Sequence, residues 1–167
     1  SIPTTKKLLK IFQKERVSML RYILFLFITL HHKLLVFWHI LVFSIRLIWR
    51  GIKHDNSKIF TSEIYWYGKY LPLFKGVKYG TPEYDALLKN FQHSINHHYQ
   101  LNPHHPEHNP EGYLGMSLLD IVEMYHDWFA ASKKSVGTRD FNKSLDINGK
   151  RFGMSDDIIR VFKNSIK

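Results

Sequence analysis

The sequence predicts an all-α fold, built as a bundle of about five to seven helices. Three observations support this prediction. A long apolar run in the first third contains no helix breaker between residues 33 and 50. Good helix N-cap signals follow it at several points, and no segment alternates between apolar and polar residues as a half-buried strand does. We therefore expect helices throughout the chain, packed around one core.

The apolar run over residues 22–49 is long enough to cross a bilayer, which takes about 20 apolar residues. Lys33 lies near its middle, where a charge costs roughly 2.5 to 3.5 kcal/mol on insertion. A helix that is apolar nearly all round is also typical of a buried core helix. We expect one long helix or two collinear ones, buried in the core or in a homo-oligomer interface, with a membrane span as the alternative. Gly51 is predicted to end this helix in a left-handed conformation.

Local start and stop signals predict the later helices. Thr81 followed by Pro82 combines a cap with a proline at the first helical position, and Pro72 forbids continuation of the helix before it. Ser117 with Asp120 resembles a capping box, and Ser155 is a further cap. The expected helices begin near residues 61, 81, 117, 140 and 155 and end near residues 71, 99, 132, 147 and 162.

The net charge of +10 is concentrated near the start of the chain, where residues 1–58 carry eleven Lys and Arg against Glu15 and Asp55. We treat residues 1–21 as a basic N-terminal extension and residues 22–167 as a single helical metal-binding domain. A basic surplus can attract a phosphate-bearing small molecule, a nucleic acid or a membrane surface, or can form only a solvated helix face. A phosphate-bearing small molecule is possible, and nucleic acid or a membrane surface is less expected. Nucleic-acid motifs of the RRM, KH or zinc-finger kind are missing from the sequence.

The absence of cysteine excludes disulfides and thiolate metal ligands. Any metal must therefore be held by histidine nitrogen and carboxylate oxygen. A reducing compartment suits this composition. We expect no secretory signal, because the first apolar run starts only near Tyr22 and no small-residue cleavage site follows it. We expect a cytoplasmic protein.

His54 and Asp55 are adjacent and are followed by Lys58. The pair could bind one divalent ion, and the ammonium group three residues later could hold a phosphate or another anion near that ion. Such a dipeptide alone is as often a surface pair or a helix cap. It needs support from other parts of the chain.

That support comes from a cluster of six of the eleven histidines within residues 93–108. Packing so many imidazoles together without a metal or acidic partners would cause repulsion when they protonate. Asp120, Glu123 and Asp127 are spaced by three and four residues, so they share one face of a predicted helix. They could serve as ligands, as partners of the histidines or as a solvated acidic face. The histidines are His93, His97, His98, His104, His105 and His108.

The pattern H…HD-x-x-K…H…H…D resembles the HD-domain superfamily of metal-dependent phosphohydrolases, and no Gly-rich phosphate loop, H-E-x-x-H or G-x-S-x-G motif competes with it. The chain is also similar, over roughly residues 29–167, to an uncharacterised domain family found in bacteria and phages. The segments that carry this second resemblance are HD-x-S-K, YGTPEY, HHY, NPHHPEH, EM-x-x-DW and KRFGMSD. Together they imply an HD-domain-like helical bundle and leave the substrate open.

The superfamily resemblance implies a ligand set. The first metal would be held by His32, His54, Asp55 and Asp127, and a second by two of His97, His98, His104 and His105. Among these we favour His98, His104 and His105, with Lys58 facing the phosphate.

Whether His32 can be a ligand of the first metal depends on the length of the first helix. If the helix is unbroken from His32 to Gly51, these two residues are nineteen positions and about 28 Å apart. Either the helix breaks between about Phe43 and Arg50, or His32 joins a site across an oligomer, or it is a core residue.

These features predict a hydrolase for a nucleotide or other phosphate ester that uses one or two divalent ions of Mn, Fe, Co, Ni or Zn. Lys58, Asp55 and Glu123 are the expected catalytic residues, with Glu123 or Asp127 as a base where it is not bound to metal. Two alternatives remain open. One is a di-iron oxygenase of the HD type, and the other is a non-enzymatic helical protein that binds metal, anions or membrane.

Overall fold

A computed structural model describes residues 5–78, 80–134 and 140–165. These residues form α-helices, short 3₁₀ segments and turns, and no strand occurs among them. The predicted all-α class is confirmed. Tyr79 of the YGTPEY segment lies outside the described residues, as do residues 135–139. The helices are α1 (Thr5–Lys53), α2 (Ser57–Phe60), α3 (Glu63–Tyr70), α4 (Pro82–Leu101), α5 (Leu118–Lys134), α6 (Phe141–Phe152) and α7 (Asp156–Asn164).

The chain divides into two compact units, one over Ser1–Arg46 and one over Leu47–Lys167. In the first unit, the described residues belong to α1, which continues without interruption into the second unit as far as Lys53. The prediction of one long helix is confirmed. The stretch Met19–Phe60, which includes the apolar part of α1, is long and apolar enough, by length and composition, to cross a membrane.

The expectation that the apolar run is buried in the chain's own core is wrong. The most apolar window of α1 has no buried residue, and Phe25, Phe27 and Phe37 are each more than 60 % exposed. The reason is that the described core is made from the C-terminal helices α5, α6 and α7, which bury their own apolar stripes against one another.

The core of the second unit fixes α5 against the last two helices. Leu145 of α6 is completely buried, and Met124 of α5 is 1 % exposed beside it in the same cluster. A Cβ atom at Gly149 would lie 2.7 Å from Cδ1 of Ile159, so a larger residue there would force the Ile159 side chain to shift. This packing holds in place the face of α5 that carries the three predicted acids.

The predicted caps form as expected. Oγ1 of Thr81 accepts from the backbone N–H of Tyr84 at 3.3 Å, and Ser155 caps α7. Ser117 and Asp120 form a reciprocal capping box, in which Asp120 accepts from the Ser117 backbone N–H at 2.8 Å and its own N–H donates to the Ser117 hydroxyl at 3.2 Å. Local signals therefore predicted these helix starts correctly.

The predicted end of α1 at Gly51 is wrong. Gly51 is helical, and the helix continues to Lys53. The left-handed residue is Asp55, with φ of 56°, a conformation that Asp tolerates better than most residues. Its carboxylate accepts from Nζ of Lys58 at 2.5 Å across the turn. The chain therefore turns sharply at His54 and Asp55, and both residues lie in the turn that follows α1.

Candidate metal centre

The first part of the site is the turn between α1 and α2. Asp55 is only partly exposed, and its Oδ2 lies 3.4 Å from Nε2 of His54. The same nitrogen of His54 lies 3.5 Å from Oδ1 of Asp127 on α5. The last turn of α1 and the middle of α5 therefore present a histidine and two carboxylates to one small volume.

The second part comes from the end of α4 and the loop that follows it. His98 is on the last turns of α4, and His104 follows it in a loop that Pro103 and Pro106 stiffen. Both histidines are 2 % exposed. His105 is next to them, with Nε2 3.0 Å from Nε2 of His98. The proline-rich loop that the sequence excludes from regular helix thus brings three imidazoles together.

The two parts converge on Asp55. Its Oδ1 lies 3.2 Å from Nε2 of His98 and 3.6 Å from Nε2 of His104. Among the described residues, two overlapping groups offer ligand atoms that all lie within 4.8 Å of one another. One group contains Asp55, His98, His104 and His105, and the other contains His54, His104 and Asp127.

The atoms at the centre fit a bound cation. Oδ1 of Asp55 and Nε2 of His104 are buried, and neither has a hydrogen-bond partner among the described residues. A buried polar atom without a partner is costly, and a cation would satisfy both atoms at once. Imidazole nitrogen and carboxylate oxygen are the donor atoms that first-row divalent ions accept. The residues present therefore fit one or two transition-metal ions.

The histidines are oriented by carboxylates on the side away from the centre. Nδ1 of His98 lies 2.9 Å from Oε2 of Glu63, which is 1 % exposed. Oε1 of Glu123 lies 2.9 Å from Nδ1 of His54 and 3.1 Å from Nδ1 of His104. A carboxylate at Nδ1 favours the tautomer with the proton on that atom. The rings of His98 and His104 are then left with a bare Nε2 that faces the centre. Hydrogen bonds to Asp127 and Glu123 raise the pKa of His54 to about 10, so this ring carries both protons in the metal-free chain and must lose one to bind a metal.

Arg50 holds the second of these carboxylates in place. Its Nε donates to Oε2 of Glu123 at 2.5 Å, and its Nη2 lies 2.5 Å from Oδ1 of Asp120. Glu123 therefore has one oxygen on a guanidinium group and the other on two imidazoles. Its role in this arrangement is to orient ligands, and both its oxygens are already used.

The electrostatics agree with this geometry. Burial raises the pKa of Glu123, but the rings of His104 and His54 and the guanidinium of Arg50 outweigh it and hold the pKa well below its usual range. For Asp127, burial is likewise outweighed by the hydrogen bond to His54, so its pKa is also lowered. Both carboxylates are ionised at neutral pH.

The pKa of His105 is lowered, whereas acids beside a surface histidine would raise its pKa. Burial, together with the neighbouring rings of His104 and His98, lowers its pKa to about 3. The ring is therefore neutral at physiological pH, which leaves a nitrogen lone pair for a metal.

A cleft of about 390 Å³ opens beside the centre. It reaches His105 and Asp127 on one side and Asn148 and Arg151 of α6 on the other. Nη2 of Arg151 donates to Glu107 at 2.7 Å and lies 3.3 Å from the hydroxyl of Tyr99. Clefts of this size commonly hold small molecules.

The structure brings most of the predicted ligands together. His54, Asp55, His98, His104, His105 and Asp127 all belong to the two groups. His97 belongs to neither group, and its Nδ1 lies 2.8 Å from Oε1 of Glu63. His32 is exposed on α1 and is also in neither group, and the helix break that would have favoured its membership does not occur.

The predicted catalytic residues lie beside the same centre. Lys58 pairs with Asp55, and its Nζ lies 5.1 Å from the ring centroid of Tyr67. The acids of α5 have separate roles in the structure, since Asp120 caps the helix, Glu123 orients two histidines and Asp127 reaches the centre.

Sequence reasoning missed Glu63, Arg50, Ser57 and Asn102. Nδ2 of Asn102 donates to the Ser57 hydroxyl at 2.8 Å, and that hydroxyl donates to Glu63 at 3.1 Å. A glutamate in the first turn of α3 looks like an ordinary favourable charge at a helix start. One signal in the sequence could have indicated Glu63. The clustered histidines outnumber the predicted acidic partners, and this excess indicates that a further carboxylate lies near them.

A model of a family of unknown function, DUF5662, matches residues 23–167. The chain belongs to that family. Searches among curated proteins and among solved structures found no match. The DUF5662 match includes every member of the two ligand groups.

Proposed function

We propose that this DUF5662 protein is a metal-dependent phosphohydrolase that acts on a nucleotide or another phosphate ester. The observation that carries the proposal is the pair of unpartnered buried atoms, Oδ1 of Asp55 and Nε2 of His104, at the point where four histidines and two aspartates converge. The HD-type pattern of the sequence supports the same activity.

The metal would be held by residues of the two groups, with His104 shared between them. A divalent ion bound there would supply a hydroxide nucleophile near neutral pH and polarise a phosphoryl oxygen. The overlap of the two groups allows one or two ions.

The protein's own residues position the ligands and the substrate. Glu63 and Glu123 hold the rings of His98, His54 and His104 so that their Nε2 atoms face the centre. Glu123 is engaged on both oxygens, so Asp127 is the better candidate for a base where it is not bound to metal.

The substrate would enter through the cleft between α5 and α6. Asn148 and Arg151 line that cleft opposite Asp127, and a guanidinium group there is suited to a phosphate. Lys58 adds a positive charge beside Asp55, where it can offset negative charge that develops on the phosphoryl group.

A hydrolysis assay tests this proposal. The full chain, loaded in turn with Mn, Fe, Co, Ni or Zn, is incubated with nucleoside monophosphates, cyclic nucleotides and a chromogenic phosphate monoester. We expect at least one ion to support release of phosphate or ring opening. Asp55→Ala should abolish both metal binding and hydrolysis, whereas Asp157→Ala, an exposed acid on α7, should change neither.

Two results would contradict the proposal. If Asp55→Ala hydrolyses the ester as fast as the parent chain, the hydrolysis arises elsewhere. Hydrolysis of none of the esters, with oxygen uptake by the iron-loaded protein, would support an HD-type di-iron oxygenase in its place.

A further inference from the structure

The apolar part of α1 is exposed among the described residues. Residues 22–28 and 30–41 are all exposed, and Thr29 between them is partly exposed. The large side chains involved include Phe25 at 68 % and Phe37 at 62 % exposure. Soluble proteins rarely leave so large an apolar surface in water, so it marks a surface that binds another apolar phase.

The distribution of these side chains identifies the occupant. Successive residues of an α-helix are about 100° apart, so seven consecutive exposed residues at 22–28 cover the whole circumference. The side of one helix in a second copy of the chain would cover a single stripe. Lipid chains surround a helix on all sides, and they match this pattern.

The length and the flanking charges match a bilayer. Residues 22–45 form 24 helical residues, about 36 Å at 1.5 Å per residue, against a hydrocarbon thickness of about 30 Å. Sixteen of the 24 are Ile, Leu, Phe or Val. Lys14, Arg16 and Arg21 precede this segment and Arg46 follows it, and all four are exposed. Basic residues at both ends are suited to anionic lipid headgroups.

We infer that residues 22–45 insert into a lipid bilayer and that the basic residues beside them contact anionic headgroups. Lys33 is the one residue of this segment with a permanent charge. A single central lysine weakens insertion, and the surrounding apolar residues oppose that loss. Since the ammonium group is the unfavourable feature, Lys33→Leu should strengthen insertion.

Vesicle flotation tests the inference without confusing insertion with aggregation. The full chain is reconstituted with phosphatidylcholine vesicles, alone or with phosphatidylglycerol, and centrifuged through a density gradient that contains 1 M NaCl. Inserted protein floats with the lipid, whereas aggregates sediment and soluble oligomers stay in the load. We expect flotation with both kinds of vesicle, with a larger fraction recovered on the anionic vesicles when the salt is left out.

Paired variants decide whether the segment is responsible. Leu26→Arg with Phe37→Arg should reduce the floating fraction at least about tenfold, since each adds a charge within the segment. Leu114→Arg with Val161→Arg adds the same charges at exposed apolar sites elsewhere and should float like the parent chain. Lys33→Leu should resist alkaline carbonate extraction better than the parent.

The inference is overturned if the parent chain stays in the load as a soluble dimer or oligomer. It is also overturned if the chain sediments with no lipid, or if the Leu26→Arg and Phe37→Arg variant floats as well as the parent.

Discussion

Oε2 of Glu63 lies 2.9 Å from Nδ1 of His98, and both side chains are almost fully buried. A buried carboxylate of this kind fixes the ring and its tautomer, and it leaves Nε2 of His98 directed at Asp55. Glu63 therefore fixes the orientation of a candidate ligand without belonging to either ligand group itself.

Replacing that carboxylate should weaken metal binding while leaving the fold intact. Glu63→Gln keeps the shape of the side chain but removes the charge that stabilises the proton on Nδ1 of His98. We expect the affinity for the bound ion to fall about 10- to 100-fold, as measured by competition with a chelator. Glu83→Gln, in the exposed first turn of α4, is the matched control. An unchanged affinity in Glu63→Gln would exclude this orienting role.

Glu123 should behave as an orienting residue and not as a general base. One of its oxygens contacts the rings of both His54 and His104. Glu123→Gln should therefore lower metal affinity about 10- to 100-fold, and saturating metal should restore much of the turnover. If metal affinity stays at the parent value while kcat falls at every metal concentration, Glu123 is the base.

Most of the fold could be predicted because its signals are local. Thr81 and Ser155 mark their helix starts through side chains that cap the next few N–H groups, and this requires no knowledge of the rest of the chain. The burial of α1 could not be predicted in the same way. A helix that is apolar all round has the same sequence pattern in a protein core and in lipid.

The residues of the candidate site also fall into those with a local sequence signal and those without one. His54 and Asp55 are adjacent, and His98, His104 and His105 lie within eight positions, so each of these two local clusters is visible without a structure. Glu63 and Arg50 act through contacts with residues 35 and 73 positions away. Nothing in their immediate neighbours distinguishes them from ordinary surface charges, so sequence patterns did not reveal them.

Lys58 should affect turnover more than metal binding. A protonated ammonium group has no lone pair for a metal, and its charge can act only on Asp55 or on the substrate. For the best phosphate ester, we expect Lys58→Ala to lower kcat about 10²- to 10³-fold with the metal content retained. Lys143→Ala, on the exposed face of α6, controls for loss of a positive charge. Turnover equal to that of the parent would remove Lys58 from the mechanism.

The metal-free protein should lose stability as the pH falls below about 6.5. The pKa of His105 is lowered to about 3 in the folded chain. The unfolded chain therefore takes up a proton near pH 6.5 that the folded chain does not. The free energy of unfolding should decrease by up to about 1.4 kcal/mol per pH unit over this range.

Urea denaturation at pH 7, 6 and 5 in the presence of a chelator measures this dependence. His105→Gln has no group that titrates in this range, so its free energy of unfolding should change less between pH 7 and pH 5. Equal pH dependence in the variant and the parent would show that His105 is not the residue responsible.

Metal content per chain tests the central claim most directly. The full chain is purified without added metal, divided among Mn, Fe, Co, Ni and Zn, freed of excess ion and analysed by elemental mass spectrometry. We predict one or two ions per parent chain for at least one metal, and loss of that metal in both Asp55→Ala and His104→Ala. A parent chain that retains none of the five ions, and whose thermal stability is the same with and without a chelator, would contradict the account.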